Sequence, residues 1–351
     1  MVHMRGIRTF LFMVAVFFLG MSNRVEAAPA AGGLEAFYRA NTIKFIVPTA
    51  PGGAHDMLAR KVAPAIQKYS GAKVVVENMP GAGGLVGGGY VFNIAKPDGL
   101  TIANLNVSGM ALYELLDLAA VKYKLEKFTY IARGDMLNQM VFTSKASGFK
   151  SIADMQKSTR TIRVAATDPA SAAAVAGALF IEAFGLNAKM VSGYKGSREL
   201  MLALVAGREI DAVITTVVGF DDYIKNNQIT LAAAWYDKRR PAYPNIPSAL
   251  ETPGLKPEGK KFLELGKLFS DTGRMILAPP GLPEPKRLYL EKAVMASMRE
   301  PDMADWAKLT EINLSPLSGK ESKDLVLKIT KAIPPAERAN VKHVITKKYY
   351  F

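Results

Sequence analysis

Cysteine is absent from the 351-residue chain, which excludes thiol nucleophiles, disulfides and thiolate metal sites. Disulfides are not needed here, because a chain of this length buries enough core without them. Histidine is scarce as well: His3, His55 and His343 are the whole supply. His55 lies in a glycine-rich turn, yet no second histidine, cysteine or patterned carboxylate pair stands near it, and a helix-start residue partly facing solvent is expected there. Neither a GxSxG elbow nor an HExxH pair occurs. Nothing in this inventory supports catalysis or a bound metal, and a protein without enzyme activity or cofactor is expected.

Long apolar runs are equally few. The clearest covers residues 10–21, follows Arg5 and Arg8, and precedes Val25-Glu26-Ala27. A basic start, a short apolar middle and small residues before a cleavage point describe a signal peptide over residues 1–27, with cleavage after Ala27. The run falls short of the roughly 20 apolar residues that a spanning helix needs, so an N-terminal membrane anchor is the weaker alternative. Export to the periplasm is expected.

Charge is lopsided, with 45 Lys and Arg against 31 Asp and Glu, a formal net charge of +14. Such a balance suits an anionic partner. The basic residues are scattered, without a stripe interleaved with aromatics, and nucleic acid is not expected.

The length suggests about two domains. Residues 43–105 read as strand (43–47), helix (57–69), strand (74–76), helix (85–95) and strand (100–105). In the first helix Leu58, Val62 and Ile66 recur every four residues and Gly71 ends it. A second unit repeats that order: strand 162–166, helix 171–184, strand 189–192, helix 197–205 and strand 211–217. This alternation predicts parallel-rich sheets flanked by helices. Residues 241–285 collect proline and glycine and read as surface connections around one strand, 274–278. Helices are expected over 284–299, 303–309 and 318–332. The tail should return to the first unit, giving lobe 1 as 34–138 with 273–351 and lobe 2 as 139–272. The crossings fall near residues 135–139 and 271–274.

Two strand-to-helix junctions are glycine-rich: Pro51-Gly52-Gly53-Ala54-His55-Asp56 and Asn78-Met79-Pro80-Gly81-Ala82-Gly83-Gly84. The first amides of a helix lack intrahelical partners and carry partial positive charge. Glycine lets an anion approach them closely. Both junctions would lie at the carboxyl ends of neighbouring strands, where open α/β sheets bind ligands. Together they form a pincer for one carboxylate, or else two tight turns whose glycines merely supply positive φ. Asp56 could bond back to the loop amides and stiffen the first turn. Thr49 could offer a hydroxyl, and Asn106 and Ser108 follow the third strand. Gly81, Gly83 and Gly87 fit a GxGxxxG spacing. However, the strand over 100–105 ends in Asn104-Leu105-Asn106 and not in the acid that a dinucleotide ribose would require. An NADP-binding oxidoreductase is therefore the weakest reading.

These stretches resemble a known family. PTAPGGAHDMLAR, VVVENMPGAGG and KPDGLTI are similar to segments of the extracytoplasmic solute-binding proteins of tripartite tricarboxylate transporters, the Bug family. Gly193-Tyr194-Lys195-Gly196-Ser197, the stretch from Arg239 to Ser248, and Ala278-Pro279-Pro280-Gly281-Leu282-Pro283 follow in the family's order. The resemblance implies a two-lobed, type II-like clamshell that holds a carboxylated small molecule and delivers it, as a monomer, to membrane permease subunits. A sensor passing the same signal to a membrane kinase is the alternative. It assigns the ligand carboxylate to the amides of Gly52, Gly53 and Ala54 and of Ala82, Gly83 and Gly84. The far end of the ligand goes to Thr167, Ser171 and Ala172, and Asp211 matches an acid near the cleft. Asp168 and Pro169 depart from the family's glycine-rich form at that point.

Overall fold

The structure is a computed structural model and describes residues 31–350 apart from 170, 217, 219, 236–238 and 241. The expected signal peptide and its cleavage point lie outside the described residues. Eleven strands are found among the described residues: β1 (Thr42–Val47), β2 (Lys73–Asn78), β3 (Thr101–Asn106), β4 (Thr129–Met136), β5 (Gln139–Ser144), β6 (Ile162–Ala165), β7 (Ala188–Val191), β8 (Ala212–Thr216), β9 (Ile229–Ala234), β10 (Arg274–Ala278) and β11 (Asn313–Ser318). The helices are α1 (Ala31–Arg39), α2 (Ala54–Ser70), α3 (Leu85–Asn93), α4 (Val107–Leu115), α5 (Ile152–Gln156), α6 (Ala172–Phe184), α7 (Ser197–Ala206), α8 (Asp221–Lys225), α9 (Pro257–Asp271), α10 (Glu284–Ser297), α11 (Met303–Thr310), α12 (Gly319–Ile329) and α13 (Arg338–His343).

The strands form two sheets. One has the order β11-β4-β10-β3-β1-β2, the other β7-β6-β8-β5-β9. In the first, β1 pairs in parallel with β2 and β3, whereas β10 runs antiparallel between β3 and β4. In the second, β6 is parallel to β7 and β8, and β5 runs antiparallel to β8 and β9. β11 also runs antiparallel to β4, so both sheets are mixed, not parallel-rich as expected: their parallel cores β2-β1-β3 and β7-β6-β8 are extended by late or crossing strands in antiparallel pairs. With helices on both sheets, the molecule is a two-lobed α/β clamshell.

The first lobe follows from its sequence pattern. Leu58, Val62 and Ile66 are fully buried along one face of α2, and they pack with Ile43, Phe45 and Val47 of β1. The helix ends where Gly71 takes φ 77 and its N–H bonds to Gln67 O. Between the lobes, α4 lies against α6 and α9, and one apolar cluster runs without a break from Val107 and Met110 to Ala174, Leu263 and Phe269.

Two features depart from expectation. Residues 257–271, read as surface connection, form α9; its Gly259 lets α6 approach so closely that an added Cβ would lie 2.1 Å from Ala183 O. Most of the tail returns to the first lobe as expected, with β10 and β11 in its sheet, but its end does not. Beyond α13 it packs on α6 and the edge of β7: Met190 N–H donates to Tyr349 O at 2.7 Å, and Lys348 Nζ pairs with Glu182 at 2.7 Å. The turn that carries the chain from α9 back to β10 depends on Gly273, whose φ is +59 and whose added Cβ would fall 1.6 Å from Asp135 O.

Candidate functional site

The two glycine turns sit side by side because β1 and β2 do. Val47 is in register with Asn78, and Met79 N–H donates to Val47 O at 2.7 Å. Gly84 and Gly87 close on Pro48, with added Cβ atoms 3.2 and 3.5 Å from its Cβ, so larger residues would push the turns apart. In the second turn Gly81, Ala82, Gly83 and Gly84 all have positive φ, at 138, 45, 63 and 98°. Gly84 N–H donates back to Gly81 O at 3.0 Å and closes the turn, which leaves the amides of Ala82 and Gly83 as its candidate donors.

The first turn is held from behind. Asp56 Oδ2 accepts from Gly52 N–H and from Arg60 Nε, each at 2.9 Å, and Oδ1 accepts from Asn78 Nδ2 at 2.9 Å. Asn78 Nδ2 also donates to Thr49 O, tying β2 to the same turn. Burial pushes the Asp56 carboxyl up, but the bonds from Arg60, Gly52 and Asn78 outweigh it and hold the group below the usual carboxylate range. The expected stiffening role of Asp56 is present, and it has a consequence: the Gly52 N–H belongs to Asp56, not to a ligand. The assignment of Gly52 as a carboxylate donor is corrected accordingly. Gly53, the N-cap, has extended backbone, and no side chain caps α2. The first amides of the helix, from Ala54 onward, are the donors left at this turn. Thr49 Oγ1 is buried without a hydrogen-bond partner, 3.6 Å from where a Gly53 Cβ would stand.

His55 is half-buried in the first turn of α2, the helix-start position expected for it. Its Nδ1 lies 3.1 Å from Asn104 O, and Asn104 Nδ2 donates to His55 O at 3.0 Å. A carbonyl only accepts, so Nδ1 carries the proton. Burial, with Arg274 nearby, lowers the imidazole to about 3, and the ring is neutral at ordinary pH. Beside it lies a polar layer that sequence reasoning missed. Arg274 and Asp135 form an ion pair almost wholly removed from solvent, and Arg274 N–H donates to Asp135 Oδ1 at 3.1 Å. Burial pushes Asp135 up while Arg274 opposes it. Alternation along β10 was the available signal, because a charged residue heads a strand that is otherwise fully apolar.

Asn106 Oδ1 accepts from Ser108 Oγ at 2.7 Å, both residues buried at the start of α4. In the second lobe Thr167 O accepts from Gly193 N–H at 2.9 Å. Ser171 is the N-cap of α6, its Oγ accepting from Ala174 N–H at 3.1 Å, and Ala172 O accepts from Gln139 Nε2 at 3.0 Å. Residue 170 lies outside the described residues. Across the gap Ala54 meets Val218 and Ile312, which brings the first turn against the loop after β8.

Asp211 is a clear correction. It precedes β8, at the opposite end of that strand from Thr216, and accepts from Arg163 N–H at 2.8 Å and from the side chains of Arg160 and Arg163. Burial pushes its carboxyl up, but those arginines hold it at about 2. It is a structural clasp, remote from the turns.

A separate cavity of about 1200 Å³ lies between the lobes beside the crossings, lined among others by Met136, Gln139, Arg240, Lys267 and Glu311. Arg240 Nη2 donates to Glu311 Oε2 at 2.8 Å, an ion pair joining the lobes. None of the glycine-turn residues lines this cavity.

Residues 58–332 match the model of the tripartite tricarboxylate transporter family receptor, well over half of the chain. The chain belongs to the tripartite tricarboxylate transporter family receptors. Protein BugT of Bordetella pertussis is 28% identical over 244 residues, 68% of this chain and 73% of that protein. The UPF0065 protein in the TAR-I ttuE-ttuC' intergenic region of Agrobacterium vitis is 27% identical over 268 residues, 75% of this chain and 73% of that protein. Among solved structures, periplasmic binding protein BugD superposes with a TM-score of 0.69 at 23% identity, covering 87% of this chain and 97% of that one. MatC from Rhodopseudomonas palustris with bound malate gives 0.67 at 24% identity, covering 87% and 99%. At these identities the likeness speaks for the fold. As a family receptor the chain is a solute-binding protein, and among its described residues no helix is long and apolar enough to cross a membrane and no acidic or histidine cluster could hold a metal.

Proposed function

We propose that this receptor captures a carboxylate-bearing small molecule between its lobes outside the cytoplasm and, as a monomer, delivers it to tripartite-type permease subunits. One observation carries the reading: two anion-receptive turns meet at the adjacent ends of β1 and β2, and the helix leaving the first has no side-chain cap. The donors assigned to the carboxylate are the amides of Gly53 and Ala54 and of Ala82 and Gly83; Gly84 N–H, first expected among them, donates to Gly81 O at 3.0 Å. Thr49 is assigned to the same carboxylate through its hydroxyl, Asn106 to the first lobe's wall, and Thr167, Ser171 and Ala172 to the far end of the ligand. Burying a bare carboxylate is costly unless it is fully hydrogen-bonded. Preformed amides meet that need without reorganisation, each such bond contributing about 1.5–3 kcal/mol. Closure would turn on the crossings near 135–139 and 271–274, with the lobe division lying there.

Malate in MatC and adipate in a second Rhodopseudomonas palustris protein of the same fold give the chemical class some support. Titration calorimetry with mono-, di- and tricarboxylates, aromatic acids included, tests the proposal. Saturable binding of at least one member is expected; no heat from any member would overturn it.

A further inference from the structure

Glu311 occupies a position where helices ordinarily carry glycine. It is the C-cap of α11, with φ 57 and ψ 22, in the left-handed region. A glutamate there strains the backbone, and such strain persists only where the surroundings hold it. What holds Glu311 comes from the other lobe. Arg240 Nη2 donates to Glu311 Oε2 at 2.8 Å, and the two side chains are 14% and 16% exposed. Arg240 is fixed within its own lobe by a bridge to Tyr243, whose N–H donates to Arg240 O at 3.0 Å and whose hydroxyl bonds to Asp221. Its Nη1 is buried without a hydrogen-bond partner. The guanidinium is thus stripped of water around a single carboxylate.

A covered pair of this kind adds little to the stability of a fold, because desolvating two charges offsets most of their attraction. It separates two states well, because parting the lobes ends the contact and returns both groups to water. Its place suits that role. Ile312, the next residue, shares one apolar cluster with Val218 of the second lobe and with Ala54 at the first glycine turn. Bringing Glu311 to Arg240 therefore seats the contact that closes beside the ligand-binding turn. Burial pushes the Glu311 carboxyl up, Arg240 opposes this and Asp221 adds to it, so without Arg240 the closed arrangement would hold a bare carboxylate near another acid. We propose that Glu311 and Arg240 are positioning residues that latch the lobes in the closed state and set how long a captured solute is retained. This rests on the clamshell closure proposed above and adds residues to it that lie outside the glycine turns.

The chain has no cysteine of its own, so spin labels on Asp305→Cys of α11 and Asn226→Cys after α8, both exposed, report the separation of the lobes. Glu311→Gly relieves the strained conformation while deleting the carboxylate, and Arg240→Met leaves Glu311 without its partner. Distances are measured in the labelled parent and in both variants, without solute and with malate, adipate, citrate or benzoate. Each variant should move population from the short distance of the closed state to longer ones. Glu311→Gly should melt no lower than the parent, whereas a merely structural ion pair would lower the melting temperature and leave the distances alone. For an acid that binds, stopped-flow dissociation should quicken about tenfold in either variant and association should stay within about twofold, since the latch acts after capture. The double variant should lose less than the two single losses combined. Distances in both variants equal to the parent's, with dissociation unchanged, would overturn the latch and leave the carboxylate reading standing. Binding of none of these acids would count against the carboxylate reading, and the solute-free distances would still decide the latch.

Discussion

Asp56 is the residue whose removal says most about the first glycine turn. Its carboxylate collects Gly52 N–H, Arg60 Nε and Asn78 Nδ2, each at 2.9 Å. Arg60 is half-exposed, so that pair contributes on the order of 0.5 kcal/mol. The other two are bonds from neutral donors to a buried charge, about 1.5–3 kcal/mol each when taken singly. Sharing one carboxylate makes them less than additive, and Asp56→Ala should cost roughly 3 kcal/mol. For a chain of 351 residues that lowers the melting temperature by roughly 4 °C. If the turn binds through its shape, loosening it also costs affinity, at least tenfold for the calorimetrically best carboxylate. The refuting result is specific: a folded Asp56→Ala that binds equally or more tightly would mean that Asp56 competes with the ligand for the Gly52 amide. The pH sign follows from the lowered pKa. A carboxyl held below its ordinary 3.8 contributes stability that is complete above that pH and is lost as pH falls through the lower folded value. Melting temperatures of Asp56→Ala and wild type should therefore differ by a constant amount from pH 5 to 8 and draw together in acid.

Other outcomes follow from the remaining geometry. Asp211→Asn should lower the melting temperature by several degrees while leaving ligand affinity within twofold, as fits a clasp between Arg160 and Arg163; a tenfold affinity loss in a stable variant would return Asp211 to the cleft. Gly273→Ala should abolish soluble protein or cost more than about 3 kcal/mol, since its Cβ meets Asp135 O and its φ is positive; a melt like the wild type's would show that the crossing tolerates rearrangement. His55, near 3 when folded against an ordinary 6.5, refuses a proton that the unfolded chain accepts, so its contribution is complete above pH 6.5 and declines as pH falls toward 3. His55→Asn should flatten that decline in melting temperature, and parallel pH profiles for the two proteins would contradict the burial of the ring.

Much of the architecture was legible because local signals agreed. The period of Leu58, Val62 and Ile66, the stop at Gly71 and the apolar run of β1 all point to one strand–helix unit, and the structure contains it. The glycine turns were legible for the same reason: positive φ at residues 81, 83 and 84 needs glycine, and glycine is there. Ala82 shares that conformation, and its side chain offered no sign of it. What stayed hidden was long-range. α9 carries Gly259 and Gly266 inside a charged helix, residues that read as loop until α6 and Trp235 are seen packing against them. The return of the tail to α6 rests on Val341, Val344 and Ile345, buried in one apolar cluster with Phe180 and Phe184, on an edge-strand hydrogen bond and on the Glu182 pairings, which no spacing announces. Asp211 misled because its position in the chain says which strand it precedes but not which arginines reach it. The polar layer beside His55 needed the sheet order, since its members lie in segments far apart in the chain.

The most direct measurement is a crystal structure with the carboxylate that gives the strongest calorimetric signal. The ligand's carboxylate oxygens should lie within about 3 Å of the amide nitrogens of Gly53 or Ala54 and of Ala82 or Gly83. A carboxylate bound instead in the cavity beside Arg240, with both turns filled by water alone, would contradict the account.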